Sequence, residues 1–118
     1  MNFTMLLYET PEGFARRTDP DAEKREAYHA AWPRYVQALS EAGVFVTGAG
    51  LQPPGNATTV TIGDPRRVQD GPYADTKEQL GGFFMIDVPN LDAALEWAAR
   101  IPAAPGCVIE VRPNMVPG

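Results

Sequence analysis

The chain has 118 residues, 44% of them hydrophobic and 21% charged, which suffices for a single domain with its own core and no disulfide staples. Its net charge of −5 disfavours a phosphate backbone, and its one dense basic stretch, Arg16-Arg17 with Lys24-Arg25, is interleaved with Asp19, Asp21, Glu23 and Glu26 as in a solvated segment. No apolar run approaches the ~18 residues that span a bilayer, the opening residues carry no basic leader pattern, and Cys107 is alone, so the expectation is a cytoplasmic protein that binds neither membrane nor nucleic acid.

Residues 3–8 predict a strand, with Phe3, Met5 and Leu7 on one face and Thr4, Leu6 and Tyr8 on the other. Pro11, Gly13 and Pro20 among mixed charges predict a loop over 9–20. A helix is expected from Asp21 to Ala42, where Tyr28, Trp32, Tyr35, Val36 and Leu39 recur at helical spacing, and Gly43 stops it. Pro33 lies inside that pattern. It lacks an N–H and crowds the carbonyl of His29, which predicts a kink or short break near Ala31-Trp32. Val44 to Leu51 reads as a second strand, thinned by Gly48 and Gly50 and ended by Pro53-Pro54-Gly55. Ala57 to Ile62 and Arg66 to Gln69 flank Gly63-Asp64-Pro65 as a β-hairpin. After a loop, Gly81 to Val88 is a strand apolar on both faces, with Phe84, Ile86 and Val88 set against Phe83 and Met85. Asn90 caps a helix over 91–101, and Cys107 to Arg112 is the closing strand.

Without the 52–80 insertion the order is β-α-β-β-α-β. This is an α+β arrangement of the ferredoxin-like kind, an antiparallel four-stranded sheet with both helices on one face and a β-hairpin inserted. The second sheet face would carry Val108, Glu110 and Arg112 with Phe83, Met85 and Asp87, too apolar to stand bare and too charged for a plain core. Two copies facing each other would cover it, so a homodimer is expected.

Several chemistries fall away. Gly48-Ala49-Gly50 lacks the rest of a phosphate-binding loop, Ser40 lacks a nucleophile setting, and one His with one Cys makes no zinc spacing, so neither a metal nor a cofactor is expected. Cys107 reads as a packing residue. His29 has two readings: a general base, since an imidazole titrates near neutrality, or a half-buried polar residue flanking the apolar helix face. The segment 70–82 also has two. Asp70-Gly71-Pro72 is turn chemistry, and Tyr73, Asp75, Lys77 and Glu78 then bring a phenol, carboxylates and an ammonium up to Gly81-Gly82, where another group can approach closely. That is either a solvated turn or one wall of a small-molecule cleft.

The run Asp70-Gly71-Pro72-Tyr73-Ala74-Asp75-Thr76-Lys77-Glu78-Gln79-Leu80-Gly81-Gly82-Phe83, with Leu91-Asp92-Ala93-Ala94-Leu95-Glu96-Trp97 and Ile109-Glu110-Val111-Arg112-Pro113, resembles the signature of the YCII-related, or DGPF-domain, family. The resemblance covers 43–113 closely and the first strand loosely. It implies a dimeric α/β-barrel of ferredoxin-like subunits. It also implies cofactor-free chemistry on small, often aromatic-derived molecules through a His–Asp pair, or a regulatory setting beside extracytoplasmic-function sigma factors. The helix histidine of such relatives falls on Trp32, with His29 one turn earlier, and many relatives have Glu at the place of Asp75. Two functions are therefore expected. The first is a small-molecule-binding protein or cofactor-independent enzyme with its site between the sheet face and the 70–82 loop. There His29 would move a proton, Asp70 or Asp75 would orient it, Trp32, Tyr73, Lys77 and Glu78 would line the site, and Arg112 would pair with an anionic group. The second is a non-catalytic module whose acidic loop contacts a regulatory protein.

Overall fold

The computed structural model describes residues 1–116. The chain runs β1 (Asn2–Glu9), α1 (Pro11–Ala15) with a 3-10 turn over Arg16–Thr18, α2 (Ala22–Glu41) and β2 (Phe45–Gly50). A 3-10 turn over Pro54–Asn56 leads to β3 (Thr58–Thr61) and β4 (Arg67–Asp70), followed by β5 (Gln79–Asp87), α3 (Leu91–Ala98) and β6 (Val108–Pro113). Four strands make one antiparallel sheet in the order β2-β5-β1-β6, and β3 with β4 makes a separate two-stranded hairpin. This is the expected α+β, ferredoxin-like arrangement.

Register decides the faces. Phe3, Met5 and Leu7 of β1 lie opposite Ile86, Phe84 and Gly82 of β5, and opposite Pro113, Val111 and Ile109 of β6. Both helices pack on that face. Phe3, Met5, Ile86 and Val88 form one core with Tyr35 and Leu39 of α2 and Ala94 and Ala98 of α3. Thr4 and Leu6 point the other way, beside Met85, Phe83, Glu110 and Arg112. Neither helix covers this open face.

Two expectations are corrected. Residues 9–20 are not a plain loop: the Thr10 hydroxyl accepts from the Gly13 N–H (3.1 Å), and Pro11, with no donor to lose, starts the short helix α1. Nor does Pro33 break its helix, because α2 is continuous from Ala22 to Glu41, capped by Asp21 and ended by Gly43 at φ 72°. A mid-helix proline costs about 3 kcal/mol. Burying side chains such as Leu39 returns about 1.5–3 kcal/mol each, and Tyr35 also donates to the Trp97 carbonyl (2.7 Å). Packing outweighs the lost bond. The Asn90 cap is as expected, accepting from Ala93 (2.9 Å), although α3 ends at Ala98 and Ile101 reaches the core from the turn beyond it.

The β3–β4 hairpin stands away from the sheet as an arm. Val60 and Val68 pair across it, and both are exposed, as is Ile62. The molecule measures 49 × 46 × 20 Å with a radius of gyration of 16.0 Å, whereas a closed globule of this length has about 13.5 Å.

Candidate functional site

The alternation that buries Phe3, Met5 and Leu7 carries one step further, to Glu9. Its carboxylate therefore points into the helix side of the sheet and is fully buried. A charge taken out of water needs a partner. Arg17, delivered by the 3-10 turn after α1, supplies it at 2.7 Å from Oε2. The same guanidinium donates to the Gly81 carbonyl (3.1 Å) and to the Leu51 carbonyl, and stacks over Phe14 (4.9 Å). Gly81 is the extra residue where β5 bulges against β1, since Leu7 faces Gly82 and Tyr8 faces Leu80. A Cβ at Gly81 would lie 2.0 Å from Glu9 Oε2, so only glycine admits the carboxylate. At Gly82 a Cβ would meet the Ala49 carbonyl at 2.8 Å. The glycine pair thus serves close approach, of a side chain at one residue and of backbone at the other.

From α2, Tyr28 donates to the other carboxylate oxygen, Oε1, at a long 3.4 Å. Burial raises the Tyr28 phenol above its ordinary value and the Glu9 charge adds to this, with Arg17 and Trp32 pulling weakly the other way. Tyr28 stays a protonated donor. One residue on, His29 Nε2 lies 2.8 Å from the Arg17 carbonyl oxygen. A carbonyl only accepts, so Nε2 carries the hydrogen and Nδ1 keeps the lone pair when the ring is neutral.

Arg17, Tyr28 and His29, though not Glu9 itself, border a cavity of about 550 Å³ between α2 and the β2–β5 side of the sheet. Tyr28, His29, Trp32 and Val36 come from the helix, Arg17 from the turn, and Phe45, Gly48, Gly82 and Phe84 from the strands. Side chains are missing where room is needed. A Cβ on Gly48 would press on the Phe84 ring at 2.8 Å. The aromatic wall is ordered: Trp32 stacks on Phe84 (6.4 Å, 14°), and Tyr28 meets Trp32 edge-on (5.8 Å, 70°).

The structure brings together some of the residues singled out in the sequence and separates others. His29 and Trp32 share the cavity, and of the 70–82 segment only Gly81 and Gly82 reach it. Tyr73 and Glu78 line a second hollow, of about 670 Å³, with Tyr8, Pro54 and Leu80. Asp70 ends β4 and Asp75 lies in the following loop; both are exposed, and neither lines either hollow. Lys77 lies beside α1, where its charge helps the backbone hold the Glu12 carboxyl below its ordinary value. Arg112 pairs with Glu110 (2.9 Å) on the open face. Among the described residues, no group of three or more His, Cys, Asp or Glu is placed to hold a metal ion, and no helix is long and apolar enough to cross a membrane.

Sequence reading missed Glu9, Arg17 and Tyr28 as site residues. Only Glu9 had a clear signal, its place in the inward register of β1.

The model of the YCII-related domain matches residues 1–115. A stretch of 31 residues, 26% of the chain, is 61% identical to an uncharacterised protein of Rhizobium meliloti (strain 1021), and covers 25% of that protein's length. Among solved structures, the chain resembles the 5-chloro-2-hydroxyhydroquinone dehydrochlorinase of Burkholderia phenoliruptrix AC1100 in complex with 2,5-dihydroxybenzoquinone. The TM-score is 0.53 at 16% identity, over 98% of this chain and 94% of that one, so the likeness is one of fold.

Proposed function

Since the chain belongs to the YCII-related family, we propose that it binds a small ring compound in the helix-side cavity and moves a proton on it without a metal or organic cofactor. The observation that carries this reading is the cavity itself. At about 550 Å³ it has the size and apolar lining of a small-molecule site, with a few polar groups converging on it. A hydroxylated quinone ring, the kind of molecule named with the structural neighbour, is well within that volume.

His29 Nδ1 is the base. The Arg17 carbonyl holds Nε2–H and fixes the tautomer, the orienting role first given to Asp70 or Asp75. When Nδ1 takes a proton, Nε2–H stays on that carbonyl and the imidazolium remains oriented. Three of the five Arg17 N–H groups are engaged by Glu9, Gly81 and Leu51, which leaves two to face negative charge developing on the ligand.

The same reading pairs two copies through the open sheet face. Its support is Leu6, Phe83 and Met85, only half-buried on the face away from the helices, the extended dimensions, and an arm whose Val60, Ile62 and Val68 are exposed. The second hollow reaches the open face through Tyr8 and Leu80, so Tyr73 and Glu78 would line the seam, with Arg112 beside it. The exposed Val60, Ile62 and Val68 favour a second reading, in which the arm docks a regulatory protein.

The test of the site uses 2,5-dihydroxybenzoquinone. Its titration should shift the imidazole resonances of the sole histidine, and the protein should speed exchange of the ring C–H for deuterium in D2O. His29→Asn should abolish that exchange while moving the thermal midpoint by no more than about 2 °C, as for an exposed side chain. Exchange intact in His29→Asn, or no binding at millimolar concentration, would overturn the reading.

A further inference from the structure

A glycine inside a strand gives up side-chain packing and backbone entropy, and it marks a bulge, a bend or a place where another group comes close. Three glycines of β2 and β5 have such a reason within the chain: Gly81 admits the Glu9 carboxylate, Gly82 the Ala49 carbonyl and Gly48 the Phe84 ring. Gly50 has none. Its φ lies outside the left-handed region, and a Cβ placed on it would meet nothing within 4 Å beyond its chain neighbours. It nevertheless borders the cavity.

Register gives the direction of that empty space. Gly50 lies opposite Gly82 and Gly48 opposite Phe84, so positions 48 and 50 share the helix face of the sheet with Phe84. A side chain at position 50 would therefore enter the space on the α2 side, next to Gly82, which has none either. The strand backbone is bare at this point, while the wall around it is aromatic, with Tyr28, Trp32 and Phe84. Bare peptides beside aromatic rings suit a flat ring, which makes contact across both its faces. A puckered ring is held off by its axial hydrogens.

Resting on the cavity reading above, we propose that the ligand is a flat, conjugated six-membered ring seated on the Gly50–Gly82 backbone, and that the missing side chain at position 50 admits it. Gly50 then sets specificity. The fold has room for an alanine there, and the occupied site does not.

The probes are 2,5-dihydroxybenzoquinone, benzoate and cyclohexanecarboxylate, each titrated by NMR into the full chain. The last two match in charge and outline and differ in flatness. Wild type should bind benzoate about 2- to 10-fold more tightly than cyclohexanecarboxylate, the range of a face contact with aromatic groups. The benzoate ring protons should give NOEs to the α-hydrogens of Gly50 and Gly82, a reading that needs no variant. Gly50→Ala should weaken the quinone and benzoate by at least about 10-fold, the scale of one methylene in a fitted pocket. The same change should leave the thermal midpoint level or raise it by up to about 4 °C, since alanine fits this backbone and narrows the unfolded ensemble. Gly55→Ala, in the turn over Pro54–Asn56, is the control. That glycine also has open space around it but does not line the cavity, so binding should stay within about twofold. Wild-type affinity in Gly50→Ala would make position 50 an ordinary strand end, and a lowered midpoint would give the glycine a structural reason. No preference for benzoate, or NOEs that miss both glycines, would remove the flat seat. Each of these overturns the proposal and leaves the cavity reading standing, provided the quinone shifts the His29 resonances. If the quinone does not bind wild type, both readings fall together.

Discussion

Removing Arg17 should be far more damaging than its place in a charged, partly exposed segment suggests. In Arg17→Met the side-chain volume is roughly kept while the Glu9 carboxylate, 1% exposed, loses its 2.7 Å partner, and the Gly81 and Leu51 carbonyls lose a donor. Breaking a buried pair from one side costs about 3–5 kcal/mol, because the remaining charge has no compensation. The unfolding entropy of a chain this long is about 0.25 kcal/mol/K, so the thermal midpoint should fall by about 12–20 °C. Against a total stability of about 5–15 kcal/mol, the variant should fold with a thin margin. Calorimetry on wild type, Arg17→Met, Glu9→Gln and the double variant reads this directly. With both partners neutral no charge is stranded, so the double variant should lose clearly less than the two singles together, with a coupling of about 1–3 kcal/mol. A loss below about 1 kcal/mol in Arg17→Met, or strict additivity, would refute the claim that this pair ties β1, the turn before α2 and the bulge in β5 together.

The phenols predict an alkaline limit. Burial raises Tyr35, and burial with the Glu9 charge raises Tyr28, above the ordinary value of 10.0, so the folded state holds both protons more tightly than the unfolded chain. That stabilisation is complete below pH 10 and is lost as pH rises from 10 through the folded-state values; midpoints measured from pH 8 to 11.5 should drop, and less steeply in Tyr35→Phe. An unchanged slope in Tyr28→Phe/Tyr35→Phe would count against this. For the dimer, light scattering at micromolar concentration should give about twice the 12.8 kDa chain mass, and Leu6→Glu, which sets a new charge beside Glu110 at the centre of the open face, should halve it. A monomeric wild type would remove the case for pairing through that face.

The parts of the molecule legible in the sequence are those whose cause is local and periodic. Period-2 alternation places β1 and its two faces, the Asn90 cap begins α3, and turn residues mark the arm. Two local signals were real but weighed wrongly. Thr10-Pro11 is a helix start, but it opens only five residues, too few for periodicity to show. Pro33 does remove a donor, yet the aromatic and aliphatic face around it packs strongly enough to keep α2 whole.

The candidate site was less legible because its logic is long-range. Arg17 looks solvated beside its acidic neighbours, and what makes it a site residue is a carboxylate eight positions earlier that the sheet register turns inward. That carboxylate lies inside only because Gly81 bulges to admit it, 72 positions further on. Each residue alone has an ordinary explanation: an acid at a strand end, an arginine in a turn, a glycine pair near the start of a strand. The step that was open from sequence is to follow the inward face of β1 past Leu7 to Glu9 and ask which cation answers it. A buried acid with no nearby base in the pattern implies that a distant one has been folded against it. Arg17 carries that answer, and its backbone carbonyl is also the group that orients His29. The structural ion pair and the proposed proton carrier are therefore one assembly, and disturbing the first should be felt at the second.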